Sequence, residues 1–210
     1  MKQTQVRAIT VRSSTADEKN TRLMSRAQPA VSILLRTRIH VCSLAAVPET
    51  VATVKATHLM TVINGQTLVE TPASIEANKH LKIAVNDISL PQEGLVHPRA
   101  EHVEEIIRFA REWDHAGPLV VHCWAGISRS TAATFITLCT LNEGGVEASI
   151  ARSIRIASKT ATPNALMISI ADDLLGRRGK MVDAIAAIGQ GEMALSGVPV
   201  SLSSRFQATH

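Results

Sequence analysis

The stretch LVVHCWAGISRS, residues 119–130, passes from a short apolar run through a polar loop into a helical pattern. The short run 119–122 is typical of a central strand that is buried on both faces. The spacing of apolar residues over 129–141 predicts a helix. Ligands of α/β proteins bind beyond the carboxyl ends of strands, often at the N-terminus of a helix. Residues 122–128 are therefore predicted to form a binding loop.

Strands and helices alternate along the rest of the chain. Short apolar runs predict strands, and apolar residues three or four positions apart predict helices. The predicted strands are 38–43, 59–63 and 81–85, and the predicted helices are 48–56, 99–116, 146–157, 163–175 and 180–188. This alternation predicts an α/β domain with a mostly parallel central sheet of about four or five strands flanked by helices. The domain is assigned to 29–190, between a flexible basic arm (1–28) and a weakly patterned tail (191–210).

Charge and composition exclude nucleic acid as a partner. Residues 1–38 hold eight of the 22 Lys and Arg residues and two of the 18 Asp and Glu residues, so the rest of the chain is slightly acidic. Aromatic residues make up 2% of the chain, and Tyr is absent. An acidic body without aromatic rings for base stacking is not expected to bind nucleic acid.

The cysteines and the apolar runs indicate the compartment. Cys42, Cys123 and Cys139 are too few and too scattered for a disulfide framework or a zinc site. No apolar run reaches the roughly 18 residues that a membrane span needs. We therefore expect a cytoplasmic protein with no membrane span, no metal and no cofactor.

The predicted loop carries Cys123 and Arg129 with five residues between them. A loop of this length wraps a tetrahedral oxyanion with successive backbone amides, and Gly126 adopts backbone angles that larger residues resist. The amides, the helix N-terminus and Arg129 favour the thiolate of Cys123, which is both a nucleophile and a leaving group. The Arg129 guanidinium binds two phosphate oxygens at once. Ser130 is expected to donate to the sulfur, and His122 to hydrogen-bond the loop backbone.

Residues 122–130 resemble the signature loop of the protein tyrosine phosphatase superfamily, H-C-x5-R-[S/T]. The ending A-G-x-S-R-S resembles the dual-specificity branch, and the chain is also similar to small tyrosine-phosphatase-like proteins of bacteria. The resemblance implies a phosphatase-type fold and a metal-independent phosphomonoester hydrolase that forms a cysteinyl-phosphate on Cys123. It also implies that the substrate-binding residues are Trp124, Ala125, Gly126, Ile127, Ser128 and Arg129, with His122 supporting the loop.

The same resemblance implies a general acid, an Asp on a loop that precedes the cysteine. Asp87 follows the predicted strand 81–85, and the end of a strand is where a movable acid is expected. Asp87 would protonate the leaving oxygen and then activate water. Glu93 is the second choice and Asp114 a weaker one. Asn164, in a Pro-Asn step, resembles a family residue whose side chain supports the signature loop.

The expected partner is a phosphorylated protein, as in phosphotyrosine or dual-specificity phosphatases, or a small phosphate ester. One alternative is a phosphatase of a phosphoinositide or a nucleotide, although the loop lacks the extra Lys residues that inositol phosphates favour. Another alternative is a non-catalytic phosphate-binding module. A sulfurtransferase or an arsenate-type reductase needs a different loop length or partner cysteines nearby. Cys42 stays open as a redox partner of Cys123.

Overall fold

The central sheet has five strands in the order β3-β2-β4-β1-β5. The computed structural model describes residues 37–207, and the predicted arm, residues 1–28, lies outside the described residues. The first four strands are parallel, and β5 is antiparallel to β1. The predicted α/β fold with a mostly parallel sheet is therefore confirmed, and the sheet is mixed. The strands are β1 (Arg38–Ser43), β2 (His58–Ile63), β3 (His80–Ala84), β4 (Leu119–Cys123) and β5 (Val200–Ser203).

Six α-helices flank this sheet within residues 37–207. The longest predicted helix, 99–116, ends earlier in the structure because Trp113 leaves the helical conformation and its indole Nε1 donates to the Gly117 carbonyl at 3.1 Å. None of the helices that the structure describes is long and apolar enough to cross a membrane. The helices are α1 (Val47–Val54), α2 (Ala100–Glu112), α3 (Arg129–Leu141), α4 (Glu147–Ala157), α5 (Ala165–Leu174) and α6 (Lys180–Ile188).

Strand β4 is buried along its whole length because helices cover both faces of the sheet. Side chains alternate between the faces of a strand. Val121 packs into the larger apolar cluster with α3, whereas Val120 packs into a smaller cluster with α1. Helix α3 is itself buried over most of its surface. The N-terminus of α3 is therefore held in the middle of the domain, at the carboxyl end of β4.

Strand β5 lies within residues 191–210, where the sequence pattern predicts only a tail. Strand β5 pairs with β1 through a register that joins Ile39 to Leu202. Leu202 is buried, but a four-residue strand with one buried side chain has too short a pattern to be recognised in the sequence. The residues before β5 pass beside the loop that follows β4, where the Gly197 amide donates to the Ala125 carbonyl at 2.8 Å.

Candidate active site

The loop between β4 and α3 turns its backbone amides inward. The carbonyl oxygens of Trp124, Ala125 and Ile127 accept hydrogen bonds from neighbouring segments at 3.1, 2.8 and 3.0 Å. In a planar trans peptide the N–H group points away from the carbonyl, so the amides that follow these carbonyls face the inside of the loop. The Gly126 amide accordingly donates to Cys123 Sγ at 3.3 Å. The loop is a cup of amides around one sulfur.

Gly126 lets this cup lie directly against β1. Its φ angle is +74°, in the left-handed region that favours glycine. A Cβ atom added there would lie 2.7 Å from the backbone carbon of Cys42 and 2.8 Å from the nitrogen of Ser43. No side chain fits at such distances unless one of the two backbones moves. The shape of the cup therefore depends on a glycine at this position.

Cys123 is the last residue of β4, and its side chain is buried at the base of the cup. Its Sγ atom lies 3.1 Å from the hydroxyl of Ser130, in the first turn of α3. The N-terminus of a helix carries partial positive charge and unpaired amides. The sulfur thus lies among a hydroxyl, an inward amide and a helix N-terminus, all of which stabilise negative charge.

The Arg129 side chain is buried and held from one side. Its Nη1 atom donates to the carbonyl of Val85, just beyond β3, at 2.8 Å. Its Nε atom is buried and has no hydrogen-bond partner among residues 37–207. An unpaired buried donor is costly, and a guanidinium N–H in this position fits an anionic ligand. The nearest acidic oxygen, Oδ2 of Asp87, lies 3.8 Å from Nε, beyond hydrogen-bond distance.

Asp87 is hydrogen-bonded to the loop, and within residues 37–207 neither weaker candidate for the general acid makes such a bond. Its Oδ1 atom accepts hydrogen bonds from Ser128 Oγ at 2.7 Å and from Asn164 Nδ2 at 2.9 Å. Glu93 is exposed and makes no ion pair or hydrogen bond within the described residues. Asp114 lies elsewhere, with Oδ2 3.5 Å from the Nζ atom of Lys79. Asp87 is therefore the carboxylate that the tertiary structure brings to Arg129.

Comparison with solved structures identifies the fold. The crystal structure of DUSP15 matches with a TM-score of 0.50 and 20% sequence identity, covering 73% of this chain and 94% of that chain. The chain has a dual-specificity phosphatase-like fold. OH1 from the Orf virus, described as a tyrosine phosphatase with triple substrate specificity, matches with a TM-score of 0.37 and 17% identity over 73% of this chain and 80% of that one. No protein-family model matches the chain, and no curated protein matches it in sequence.

Within this phosphatase-like fold, Asn164 contacts a different loop from the one that the sequence suggested. Its Oδ1 atom accepts from the Met167 amide at 3.1 Å and caps α5. Its Nδ2 atom donates to Asp87 and, at 3.4 Å, to the carbonyl of Ile88. The side chain thus supports the loop of Asp87, and the segment touches the cup through the Thr162 amide, which donates to the Ile127 carbonyl.

His122 heads a buried chain of hydrogen bonds behind the cup. Its Nδ1 atom lies 3.3 Å from the Cys123 carbonyl, and its Nε2 atom lies 2.6 Å from the Thr61 hydroxyl. The Thr61 hydroxyl also lies 2.8 Å from Nε2 of His80, whose Nδ1 lies 2.8 Å from the Thr71 hydroxyl. All four bonds form when Thr71 donates to His80, His80 to Thr61, Thr61 to His122, and His122 to the carbonyl.

The imidazoles of His80 and His122, which belong to this chain of hydrogen bonds, are neutral at pH 7. Burial is the main cause, and it lowers the pKa of His122 to about 4 and that of His80 to about 4. A neutral ring has one donor and one acceptor, which is what the chain requires. The contact of His122 with the loop backbone is the one expected from the sequence, whereas its contact with Thr61, and through Thr61 with His80, was not expected. The signal for Thr61 was a polar residue inside the apolar run of β2, whereas His80 precedes the predicted strand 81–85 and gave no such signal.

Cys42 lies near Cys123 along the sheet, but its thiol packs on the other face. Strand pairing places Cys42 beside His122, and Ser43 beside Cys123. The Cys42 side chain packs with Val120 in the smaller apolar cluster under α1. Burial raises the pKa of its thiol to about 11. A disulfide between Cys42 and Cys123 would require the strand backbone to move, because Cβ vectors that point apart cannot be bridged.

In residues 37–207 no group of three or more His, Cys, Asp or Glu side chains has the arrangement of a metal site. The charged groups that meet at the cup are Arg129 and Asp87. The arrangement of the cup suits an anion that is bound by amides and one guanidinium.

Proposed function

We propose that the chain is a cysteine-dependent phosphatase that hydrolyses phosphate monoesters without a metal ion. One observation carries this proposal: the buried Nε donor of Arg129 has no hydrogen-bond partner among the described residues, and Arg129 ends the loop that begins at Cys123, whose Sγ accepts from the Gly126 amide. A tetrahedral dianion would accept hydrogen bonds from the amides and from the guanidinium, with its phosphorus facing the sulfur. The DUSP15-like fold supports the same reaction class.

In the first step the Cys123 thiolate attacks phosphorus, and the bond from phosphorus to the ester oxygen breaks. The leaving oxygen takes a proton from Asp87. Because Oδ1 of Asp87 already accepts two hydrogen bonds, Oδ2 is the oxygen that would carry this proton. The products of this step are the free alcohol or phenol and a cysteinyl-phosphate.

In the second step water attacks the cysteinyl-phosphate, and the phosphorus–sulfur bond breaks. Asp87, now a carboxylate, takes a proton from the water. The Ser130 hydroxyl, 3.1 Å from Sγ, donates to the sulfur as the thiolate leaves. Inorganic phosphate is released, and the thiolate is restored.

Arg129 would stabilise the charge on the equatorial phosphoryl oxygens in both steps. Val85 holds Nη1, so the edge formed by Nε and Nη2 faces the ligand as a two-pronged donor. A Lys residue has a single ammonium group and cannot present that edge. The proposed substrate is a phosphorylated protein. The chain would act on phosphotyrosine alone or, like a dual-specificity phosphatase, on more than one kind of phosphorylated residue.

The test is hydrolysis of p-nitrophenyl phosphate by the purified chain in EDTA. We expect turnover by the wild type, inhibition by vanadate, and no detectable turnover by Cys123→Ser. Cys139→Ala, a buried cysteine on α3 outside the loop, is the matched control and should keep its activity. Activity that requires an added metal ion would contradict the proposal. Phosphate binding without turnover by the wild type would indicate a non-catalytic phosphate-binding module.

A further inference from the structure

Exposed apolar side chains are concentrated around the mouth of the cup. Eleven large apolar side chains are exposed in the described part of the chain, and seven of them lie in the cup or on two segments that hydrogen-bond to it through Ser128 and Ala125. Leu90, Leu95 and Val96 lie on the loop of Asp87, and Trp124 lies in the cup itself. The other three, Met193, Leu195 and Val198, lie between α6 and β5. Scattered exposed apolar residues are normal, whereas a cluster marks an interaction site.

Hydrogen bonds fasten the three segments around the cup. The Asn86 amide donates to the Val96 carbonyl at 2.7 Å, and Asn86 Oδ1 accepts from the Val96 amide at 3.0 Å. These bonds close the loop 86–96, whose Asp87 side chain accepts from Ser128. The Gly197 amide donates to the Ala125 carbonyl of the cup. Leu195 and Val198 are two and one positions from Gly197 in the sequence. We name these three segments, residues 86–98, Trp124 and residues 190–199, the apolar rim.

The most exposed members of the rim have no packing role in the described structure. Met193 is 102% exposed and Leu195 is 99% exposed, relative to the free side chains. Water around such side chains is unfavourable, and covering one of them raises affinity by about tenfold or more. A partner that covers the rim therefore gains affinity from contacts next to the cup, where a phosphate would bind.

The charge of the rim selects the kind of partner. Its charged residues are Asp87, Glu93 and Glu192, and it contains no Lys or Arg. A rim without Lys or Arg lacks the cluster of basic residues through which an anionic membrane surface is bound. It also disfavours polyphosphorylated inositols and nucleotides, which need more than one cation. A protein segment with uncharged apolar side chains needs neither a cluster of basic residues nor additional cations.

We propose that the apolar rim docks the apolar residues that flank the phosphorylated side chain of a protein substrate. This inference rests on the proposed function and narrows its substrate class. The rim contributes affinity and selectivity, and the cup performs the chemistry. Because the rim adjoins the cup, kcat/KM depends on the substrate residues on either side of the phosphorylated residue.

The experiment compares two phosphotyrosine peptides of equal length. One has Leu, Ile and Val on both sides of the phosphotyrosine, and the other has Ser, Asp and Glu. We expect the wild type to prefer the apolar peptide by about tenfold in kcat/KM. For the double variant Met193→Ser/Leu195→Ser, we compare kcat/KM on the apolar peptide with kcat/KM on p-nitrophenyl phosphate. The ratio of the first to the second should fall by about tenfold relative to the wild type.

The matched control is Ile156→Ser/Val182→Ser, which removes two exposed apolar side chains from α4 and α6, outside the rim. It should keep both the preference and the ratio. Equal kcat/KM values on the two peptides would overturn the inference, as would faster hydrolysis of a phosphoinositide in anionic vesicles than of the apolar peptide. A wild type that does not hydrolyse p-nitrophenyl phosphate overturns the proposed function instead. Calorimetric binding of the two peptides then tests the rim, and equal affinities would refute it.

Discussion

The Nε atom of Arg129 lies 3.8 Å from Oδ2 of Asp87, close enough to attract and too far to form a hydrogen bond. The same guanidinium is held through Nη1 by the carbonyl of Val85, two residues before Asp87. One short segment after β3 therefore positions both the proposed phosphate-binding group and the proposed acid. The gap between the two side chains leaves the Nε–H donor available to a ligand.

Arg129→Lys should lose about 100-fold or more in kcat/KM on p-nitrophenyl phosphate, because Lys keeps the charge but loses the two-pronged edge and the bond to Val85. The measurement is steady-state kinetics together with phosphate inhibition, which should also weaken. Arg111→Lys, an exposed substitution on α2, is the control and should match the wild type. A change of less than about threefold at Arg129 would exclude the proposed role.

Asp87→Asn should slow the hydrolysis of a poor leaving group far more than that of a good one, because proton donation matters most when the leaving alkoxide is basic. We expect a loss of about 100-fold in kcat on an alkyl phosphate and a much smaller loss on an activated aryl phosphate. The measurement is kcat on a series of leaving groups. Equal losses across the series would remove Asp87 from the acid role.

Ser128→Ala should disturb Asp87 because it removes the hydroxyl that donates to Oδ1. We expect kcat on the alkyl phosphate to fall by about tenfold in the wild-type background and to show no further loss in Asp87→Asn, since coupled residues are not additive. Ser149→Ala, on α4, is the control. Equal effects of Ser128→Ala in both backgrounds would show that Ser128 acts independently of Asp87.

Gly126→Ala should destabilise the fold and abolish turnover, because the new Cβ would meet the backbone of β1. The matched control is Gly176→Ala: that glycine also has a positive φ angle, +62°, but a Cβ there meets nothing within 4 Å. The difference in the free energy of unfolding between the two variants should be about 1–3 kcal/mol, the usual cost of overpacking. Urea unfolding measures it, and equal stabilities would mean that the loop can move away from β1.

The free energy of unfolding should fall as the pH drops from 6.5 towards 4. In the unfolded chain His80 and His122 take up protons near pH 6.5, whereas burial lowers the pKa of each in the folded protein to about 4. The unfolded state therefore binds more protons across this window, and the stability present above pH 6.5 is lost. Urea midpoints at pH 7.5 and pH 5 measure this effect.

The matched variant for this pH dependence is His80→Gln, which cannot titrate and still offers a donor and an acceptor to the two threonines. It should have a smaller difference between the two urea midpoints than the wild type. An unchanged difference would show that the imidazole of His80 does not contribute to it.

Much of the fold could be predicted from the sequence because its signals are local. The helix predicted over 129–141 has those limits in the structure, and so does the helix over 180–188. The apolar run of β4 was recognisable because both of its faces are buried. The five-residue spacing between Cys123 and Arg129 is likewise a local property, and it predicted a loop that the structure shows as a cup of amides.

The remaining features depend on pairs of residues that are far apart in the chain. Strand β5 exists because Leu202 lies opposite Ile39. The bond from Asn164 to Asp87, and the chain from His80 through Thr61 to His122, each cross between elements that local patterns treat separately. The apolar rim also depends on residues that are far apart in the chain, because its three segments come together at the cup only when the sheet is formed.

By itself the sequence determined the helices, the four parallel strands and the loop at the end of β4, because periodicity and spacing are encoded over a few neighbouring residues. For the acid, the sequence predicted Asp87 as the first of three choices, and tertiary structure shows its contact with Arg129. Tertiary structure alone decided what Asn164 supports and which exposed apolar side chains lie on segments that contact the cup. Strand order and register bring those groups together, and neither can be read from any short stretch of the chain.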